Sequence, residues 1–228
     1  MLSGKAISIV IPAYNEADII GETIAAVRGL DLADEIVVVN DGSQDDTSRV
    51  ARQAGAVVVD LPRNRGKGAA LNEGVPGTLG EILLFLDADL GTSAAEAIKI
   101  IQPIANGECD LAVGKFSSPG GFGFVLKLSR WGVRRFCGFK ATAPLSGQRA
   151  MRRAVLRAVF PFQEDFGVET KMLIDVVRGG FRVMEIPVDT RHRATKKDIS
   201  GFIHRGRQGW GVLHAIASSV PKQRYKKI

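Results

Sequence analysis

Two carboxylates two residues apart, Asp87 and Asp89, follow directly on the apolar run Ile82-Leu83-Leu84-Phe85-Leu86. Where a strand ends the chain turns, side-chain alternation lapses, and both carboxylates can approach one point. Hard divalent cations such as Mg²⁺ or Mn²⁺ take carboxylate oxygens, often together with phosphate oxygens. Taken alone, Asp87-Ala88-Asp89 serves equally well as a polar turn closing a strand. Three other polar clusters weigh against that plain reading. Pro12-Ala13-Tyr14-Asn15-Glu16 ends a first apolar run, Asn40-Asp41-Gly42-Ser43 ends a second, and Asn64-Arg65-Gly66-Lys67-Gly68 follows a third. Such clusters at successive strand ends converge on the edge of a parallel sheet where ligands bind. Gly66-Lys67-Gly68 opens a helical stretch, so backbone N–H groups and a lysine are expected to face a phosphate. The spacing of a Walker loop is absent, and no Gly-x-Gly-x-x-Gly follows a strand.

Elements that alternate between strand and helix must hold these clusters. Ala6–Ile11, Glu35–Val39, Ala56–Asp60, Glu81–Leu86 and Asp110–Gly114 read as short buried strands. Between them, Glu16–Leu30, Asp45–Ala54, Gly66–Gly74 and Thr92–Ala105 read as helices, the last capped by Thr92 or Ser93. That order predicts an α/β fold, a mostly parallel sheet with helices on both faces. After Gly114 the pattern changes. A Gly/Pro/Ser loop, Ser117–Gly123, leads into Phe124–Phe136, a basic amphipathic helix. Leu145–Met151 reads as a strand and Val168–Arg178 as a helix stopped by Gly179-Gly180. Phe181–Val188 reads as a strand broken or at an edge at Pro187, and Ser200–Val220 as helical.

The 228 residues carry a net charge of +7, but the charge is split. Residues 1–110 hold 8 Lys+Arg and 17 Asp+Glu, giving −9; residues 111–228 hold 23 and 7, giving +16. No acidic residue lies between Asp110 and Glu164. A nucleic-acid binder basic throughout would not divide this way, and nucleic acid is not expected as a partner. The split suggests one half that holds a metal or nucleotide and another that holds an anion or an anionic surface. With 45% hydrophobic residues the chain can bury a core, which excludes disorder as its main state. Cys109 and Cys137 make no disulfide framework or metal pattern, so a cytoplasmic site is the simple expectation. No apolar run approaches the roughly 18 residues that span a bilayer. No linker divides the chain, so it is read as a single domain over 1–228, with halves 1–115 and 116–228.

Ile9-Val10-Ile11-Pro12-Ala13-Tyr14-Asn15-Glu16, Val37-Val38-Val39-Asn40-Asp41-Gly42-Ser43, Asn64-Arg65-Gly66-Lys67-Gly68 and Leu86-Asp87-Ala88-Asp89, in this order, resemble the nucleotide-sugar half of a family 2-type glycosyltransferase of GT-A fold. The resemblance covers residues 5–115. It implies a nucleotide-diphosphate sugar donor, uridine- or guanosine-linked, and a divalent metal, Mg²⁺ or Mn²⁺. It implies that Pro12, Ala13, Tyr14, Glu16 and Asp41 surround the nucleoside, that Lys67 lies near ribose and diphosphate, and that Asp87 and Ala88 serve the ribose. Asp89 is the implied metal ligand. A metal bridging the phosphates neutralises the departing charge as a Lewis acid.

The second half resembles two subtypes. Pro144-Leu145-Ser146-Gly147-Gln148-Arg149-Ala150 is similar to the Ser-Gly-x-Arg-Ala stretch of polyprenyl-phosphate sugar synthases. Phe166-Gly167-Val168-Glu169, Ile186-Pro187-Val188 and Arg191-His192-Arg193 resemble glucosyl-3-phosphoglycerate synthases. From these likenesses His192 completes the metal site, and Glu169 or Asp165 works at the sugar or acceptor. Arg191, with Arg193, Lys196 and Lys197 beside it after a strand, suits either the donor diphosphate or an acceptor phosphate. Acids in a first helical turn also suit the helix dipole, which is the plain reading of Glu164. The glycerate enzymes use an Arg and a Thr before the helix that starts near residue 124, but Gly121-Phe122-Gly123-Phe124 has neither, which speaks against phosphoglycerate itself. The implied acceptor is a polyprenyl phosphate or another phosphorylated group, with transfer to a small phosphorylated acid, as in the glycerate enzymes, as the alternative. Lys127, Arg130, Arg134 and Arg135 beside large apolar groups suit a membrane surface, although a packed helix with a solvated basic face is the commoner case. Many lipid-acceptor relatives carry C-terminal membrane helices. Here Lys222–Ile228 is polar, so the expectation is peripheral membrane contact, a partner such as a second copy, or no lipid at all. A nucleotidyltransferase would show a Gly-rich loop after the first strand, where Pro12-Ala13-Tyr14 stands. A non-catalytic nucleotide-sugar sensor is the remaining rival.

Overall fold

The computed structural model describes residues 6–116, 123–164, 167–190 and 210–219. Seven strands form one sheet in the order β3-β2-β1-β4-β6-β5-β7. Strands β1 (Ile7–Ala13), β2 (Glu35–Asn40), β3 (Val57–Asp60), β4 (Ile82–Phe85), β5 (Leu111–Phe116) and β7 (Val183–Val188) run one way. Only β6 (Arg149–Arg152) is antiparallel, wedged between β4 and β5. The sheet is therefore mostly parallel, as expected. Pro187 lies in β7, an edge strand, where a residue without an N–H is tolerated.

Strand alternation sorts the core into two layers. Ile7, Ile9 and Ile11 of β1, Ile36 and Val38 of β2, and Leu84 of β4 face α1 (Ile20–Arg28), α2 (Thr47–Gln53) and α4 (Ala97–Ala105). Val10, Val37, Val39, Leu83 and Phe85 face α3 (Lys67–Gly74), α5 (Gly123–Cys137), α6 (Leu156–Val159) and α7 (Val168–Arg178). Period-two burial on both faces is what a sheet sandwiched between helix layers requires. A further helix, α8, spans residues 210–218 and packs on α5 and α7.

Local departures have physical causes. The helix expected from Thr92 begins as a 3₁₀ turn, Gly91–Glu96, and neither it nor α4 has a side-chain cap. Ser93 Oγ instead donates to the Leu90 carbonyl at 2.6 Å. Leu145–Met151 contributes only its end to a strand, because residues 144–148 are drawn into a loop by a buried arginine described below. Of Ser200–Val220, residues 200–209 and 220 lie outside the described residues.

Candidate active site

All strands but β6 end at one edge, and the order β3-β2-β1-β4 brings the four polar clusters side by side there. Asp87 and Asp89 leave β4 on either side of Ala88, whose buried carbonyl accepts the Thr23 hydroxyl at 2.8 Å. Both carboxylates are half-buried. Lys67, the first residue of α3, donates to Asp87 Oδ1 at 2.5 Å and lies 3.0 Å from Glu169 Oε1 in the first turn of α7. Burial opposes the lysine's charge, but Asp87 and Glu169 more than offset it and hold its pKa above the ordinary value. One ammonium thus joins a residue of the acidic half to one of the basic half.

Asp41, also buried, organises the approach to Lys67. Its Oδ1 accepts the Arg65 N–H and its Oδ2 the Gly66 N–H, both at 2.8 Å. The amides of this loop were expected to face a phosphate; these two face Asp41 instead. Gly68 is pressed against the segment before α7, where a Cβ would stand 1.8 Å from the Gln163 carbonyl oxygen. The loop therefore offers the site the Lys67 ammonium. Asn72 of α3 fixes the same segment, donating to the Phe162 carbonyl at 2.9 Å and accepting its N–H at 2.7 Å. Phe162 packs edge-on to Phe85 of β4, with ring centroids 5.7 Å apart. The β1 and β2 loops are laced as firmly. Thr47 Oγ1 accepts the Glu16 N–H at 2.8 Å, and Asn15, at φ 56°, exchanges bonds with Ser43 and Gln44.

Beyond β4, Gly147 lies against the lysine–aspartate pair. A Cβ there would fall 2.2 Å from Lys67 Nζ and 2.3 Å from Asp87 Oδ1, so any side chain would push the lysine head and the carboxylate apart. The β4–β6 register, with Phe85 opposite Arg149, carries on to set Gly147 across from Asp87. Arg149 holds this loop. It is 1% exposed and donates to the carbonyls of Ser146, Glu169 and Pro144, each at 2.8 Å. Burial lowers its pKa to about 10 against the pull of Glu169 and Asp87, so it stays charged at neutral pH. From the other side, Glu185 of β7 accepts the Thr142 and Ala143 N–H groups at 2.8 Å. Gln148 donates to Thr190 Oγ1 at 3.0 Å and ties the loop to the end of β7.

The profile of the family described as Glycosyl transferase family 2 matches residues 8–160. The chain belongs to this family. A glucosyl-3-phosphoglycerate synthase of Mycobacterium tuberculosis is 32% identical over 200 residues, which is 76% of this chain and 61% of that one. A glycosyltransferase of Haloferax volcanii, AglJ, is 30% identical over 82% of this chain and 63% of its own length. The chain thus spans somewhat less than two thirds of these two relatives. The crystal structure of the Mycobacterium tuberculosis synthase with Mg²⁺ and uridine diphosphate superposes with a TM-score of 0.82 at 29% identity, covering 97% of this chain and 82% of that one. The chain is accordingly a glycosyltransferase of GT-A fold.

Within this family 2 glycosyltransferase, the structure brings together Asp87, Lys67 and Glu169 from the residues singled out by sequence, with Asp41 behind them. Tyr14 is exposed at the end of β1, while Ala13 and Ala88 are buried backbone positions. Pro12 and Glu16 are half-buried beside them. Asp165, Arg191 and His192 lie outside the described residues. Arg149, quoted from the sequence only within the Ser-Gly-x-Arg-Ala stretch, and Glu185 are organising residues to which sequence reasoning gave no role. An arginine inside a strand run was the available signal for the first. Glu185 looks like any solvated strand residue until its loop is in place.

Proposed function

We propose that this glycosyltransferase moves a sugar from a uridine- or guanosine-diphosphate donor to a phosphorylated acceptor, with a polyprenyl phosphate as the leading choice. The observation that carries the reading is Lys67, set between Asp87 of the Asp-x-Asp pair and Glu169 of α7. The nucleoside side of the site comprises Pro12, Ala13, Tyr14, Glu16 and Asp41, whose oxygens can each accept a second bond. Arg191 belongs with the diphosphate. Mg²⁺ or Mn²⁺ fits the residues present. Among the described residues no three His, Cys, Asp or Glu side chains come together, so the protein supplies an incomplete ligand set, and a carboxylate beside donor phosphate oxygens is the setting Mg²⁺ and Mn²⁺ take. Asp89, with His192, would hold it, and when bound it would neutralise charge on the leaving diphosphate.

The chain's own groups do the rest. Lys67 can turn from Asp87 to a phosphate oxygen as the donor enters, giving a charge-assisted bond. Glu169, fixed by the Arg149 bond to its carbonyl, orients a sugar hydroxyl or the acceptor; Asp165 is its rival for that role. An ionised phosphate acceptor needs no strong base, so Glu169→Gln should cost less with phosphates than with hydroxyl acceptors. The basic half and α5 favour a lipid-borne phosphate and peripheral membrane contact. A small phosphorylated acid is the second reading, supported by the synthase whose structure was solved with uridine-diphosphate-glucose and phosphoglyceric acid.

Thermal shift with uridine and guanosine diphosphates, with and without Mn²⁺, tests the donor site. Ligand at 100 times its Kd should stabilise the fold by about 2.7 kcal/mol. That raises Tm by roughly 5–11 °C for a chain of this size. Asp89→Ala should remove the metal-dependent part; metal-stimulated binding by that variant would sink the assignment. Turnover with polyprenyl phosphate against 3-phosphoglycerate then decides the acceptor, and hydrolysis of donor alone separates an enzyme from a sensor.

A further inference from the structure

We infer that α5 and α8 together form a docking face for an anionic membrane at the mouth of the donor site. The inference rests on the lipid-phosphate reading for its purpose, although its geometry stands apart from it. α5, α7 and α8 run the same way. Ser129, midway along α5, meets Thr170 in the first turn of α7 at 2.7 Å. Arg178, at the end of α7, reaches both the Phe136 carbonyl on α5, at 2.9 Å, and the Ser219 carbonyl just past α8. Ile216 lies over Gly132, and Gly211 and Ala215 over Gly167.

This arrangement puts the starts of all three helices at the edge where Glu169 meets Lys67. Because Ser129 is level with Thr170, the first six residues of α5 extend about 9 Å beyond the Glu169 turn at 1.5 Å per residue. Phe124 is 76% exposed there, and Trp210, at the start of α8, is 75% exposed. The exposure continues along both helices. On α5, Phe124, Lys127, Trp131, Arg134 and Arg135 share the arc opposite buried Ser129 and Val133. On α8, Trp210, Leu213 and Ala217 face outward while Val212, Ala215 and Ile216 are buried. Both tryptophans of the chain are therefore on this face.

Charge selects the occupant. Large apolar groups alternate with Lys127, Arg134 and Arg135, and neither α5 nor α8 carries an acidic residue of its own. Arg130 on the same helix is turned aside, bonded to the Thr142 carbonyl. Aromatic bodies with cations beside them match the interface of a bilayer rich in anionic headgroups. A face of this kind next to the donor site would present a membrane-borne phosphate to Glu169 without lifting its chain into water.

Tryptophan emission and sedimentation with vesicles test this directly. Vesicles of phosphatidylcholine mixed with phosphatidylglycerol should shift the emission to the blue and carry the protein down, whereas phosphatidylcholine alone should do neither. Lys127→Gln with Arg134→Gln should weaken binding roughly 30-fold, at about fivefold per cation. Phe124→Ser with Leu213→Ser should abolish the pelleting and leave uridine-diphosphate binding intact. Absence of binding to anionic vesicles at low salt overturns the inference. So does equal binding to neutral vesicles, or a dimer on a sizing column whose tryptophans are already shifted and do not respond to lipid. Vesicle binding without turnover of polyprenyl phosphate keeps this face and removes the lipid acceptor instead.

Discussion

Replacing Arg149 with methionine keeps most of the side-chain volume and removes a buried cation together with three hydrogen bonds. The carbonyls of Pro144, Ser146 and Glu169 then lose the donor that each meets at 2.8 Å. An unsatisfied buried acceptor costs about 1–3 kcal/mol, partly offset because the guanidinium no longer needs desolvating. The net loss expected is about 3–5 kcal/mol, or roughly 6–20 °C in Tm for a chain of this length. Arg149→Lys keeps the charge, but a single ammonium cannot reach three diverging carbonyls, so it should fall between. Urea unfolding gives the stability term. Steady-state turnover gives the functional one, since a shift of about 1 Å in Glu169 or the Gly147 loop costs on the order of 10²-fold. The split between KM and kcat separates positioning from simple instability: donor KM should change little at temperatures where the variant is folded. A methionine variant within about 1 kcal/mol of the parent, with full kcat, would refute the claim that this arginine holds the two sides of the site together.

Gly147→Ala should leave Tm nearly unchanged and lower turnover on the order of 10²-fold, because the new methyl displaces Lys67 from Asp87; parental kcat would contradict the close approach. Lys67→Met should weaken nucleoside-diphosphate binding roughly 10- to 100-fold, the value of one charge-assisted bond, as read by calorimetry. Asp110, buried at the start of β5, is pushed up by burial, but bonds from Arg182 and Arg152 outweigh this and hold its pKa below the ordinary 3.8. Its folded value lies below its unfolded one, so the carboxylate stabilises the fold above that range and stops doing so as pH falls through it. Asp110→Asn should therefore be less stable than the parent at neutral pH, and chemical unfolding at falling pH should show the two converging below about 3.8.

Much of this architecture can be read from residue order. Ile7, Ile9 and Ile11 alternate with Ser8 and Val10, and Leu83-Leu84-Phe85 is apolar throughout, as strands covered on both faces must be. The clusters after them line up because parallel neighbours end at the same edge. Pro187 announced an edge strand. The amphipathic period of α5 also marked its solvent face, since burial there follows the helical repeat. The antiparallel strand β6 is less legible: four residues carry too little period to reveal direction. The 3₁₀ start before α4 escaped for a related reason, because Ser93 satisfies the Leu90 carbonyl locally instead of capping a helix.

What the chain alone determined is the chemistry within reach of the strand ends: two carboxylates after β4, a lysine opening α3, and a family whose motifs carry these residue types. Those features depend on neighbours a few residues apart, which local periodicity and turn chemistry set. Which groups meet across the site was decided only by tertiary packing. Lys67 and Glu169 are more than a hundred positions apart, and their 3.0 Å contact exists because Phe85, Phe162 and Asn72 lock the start of α7 over α3. Arg149 became an organising residue only when burial stripped it of water and left three backbone carbonyls as its partners.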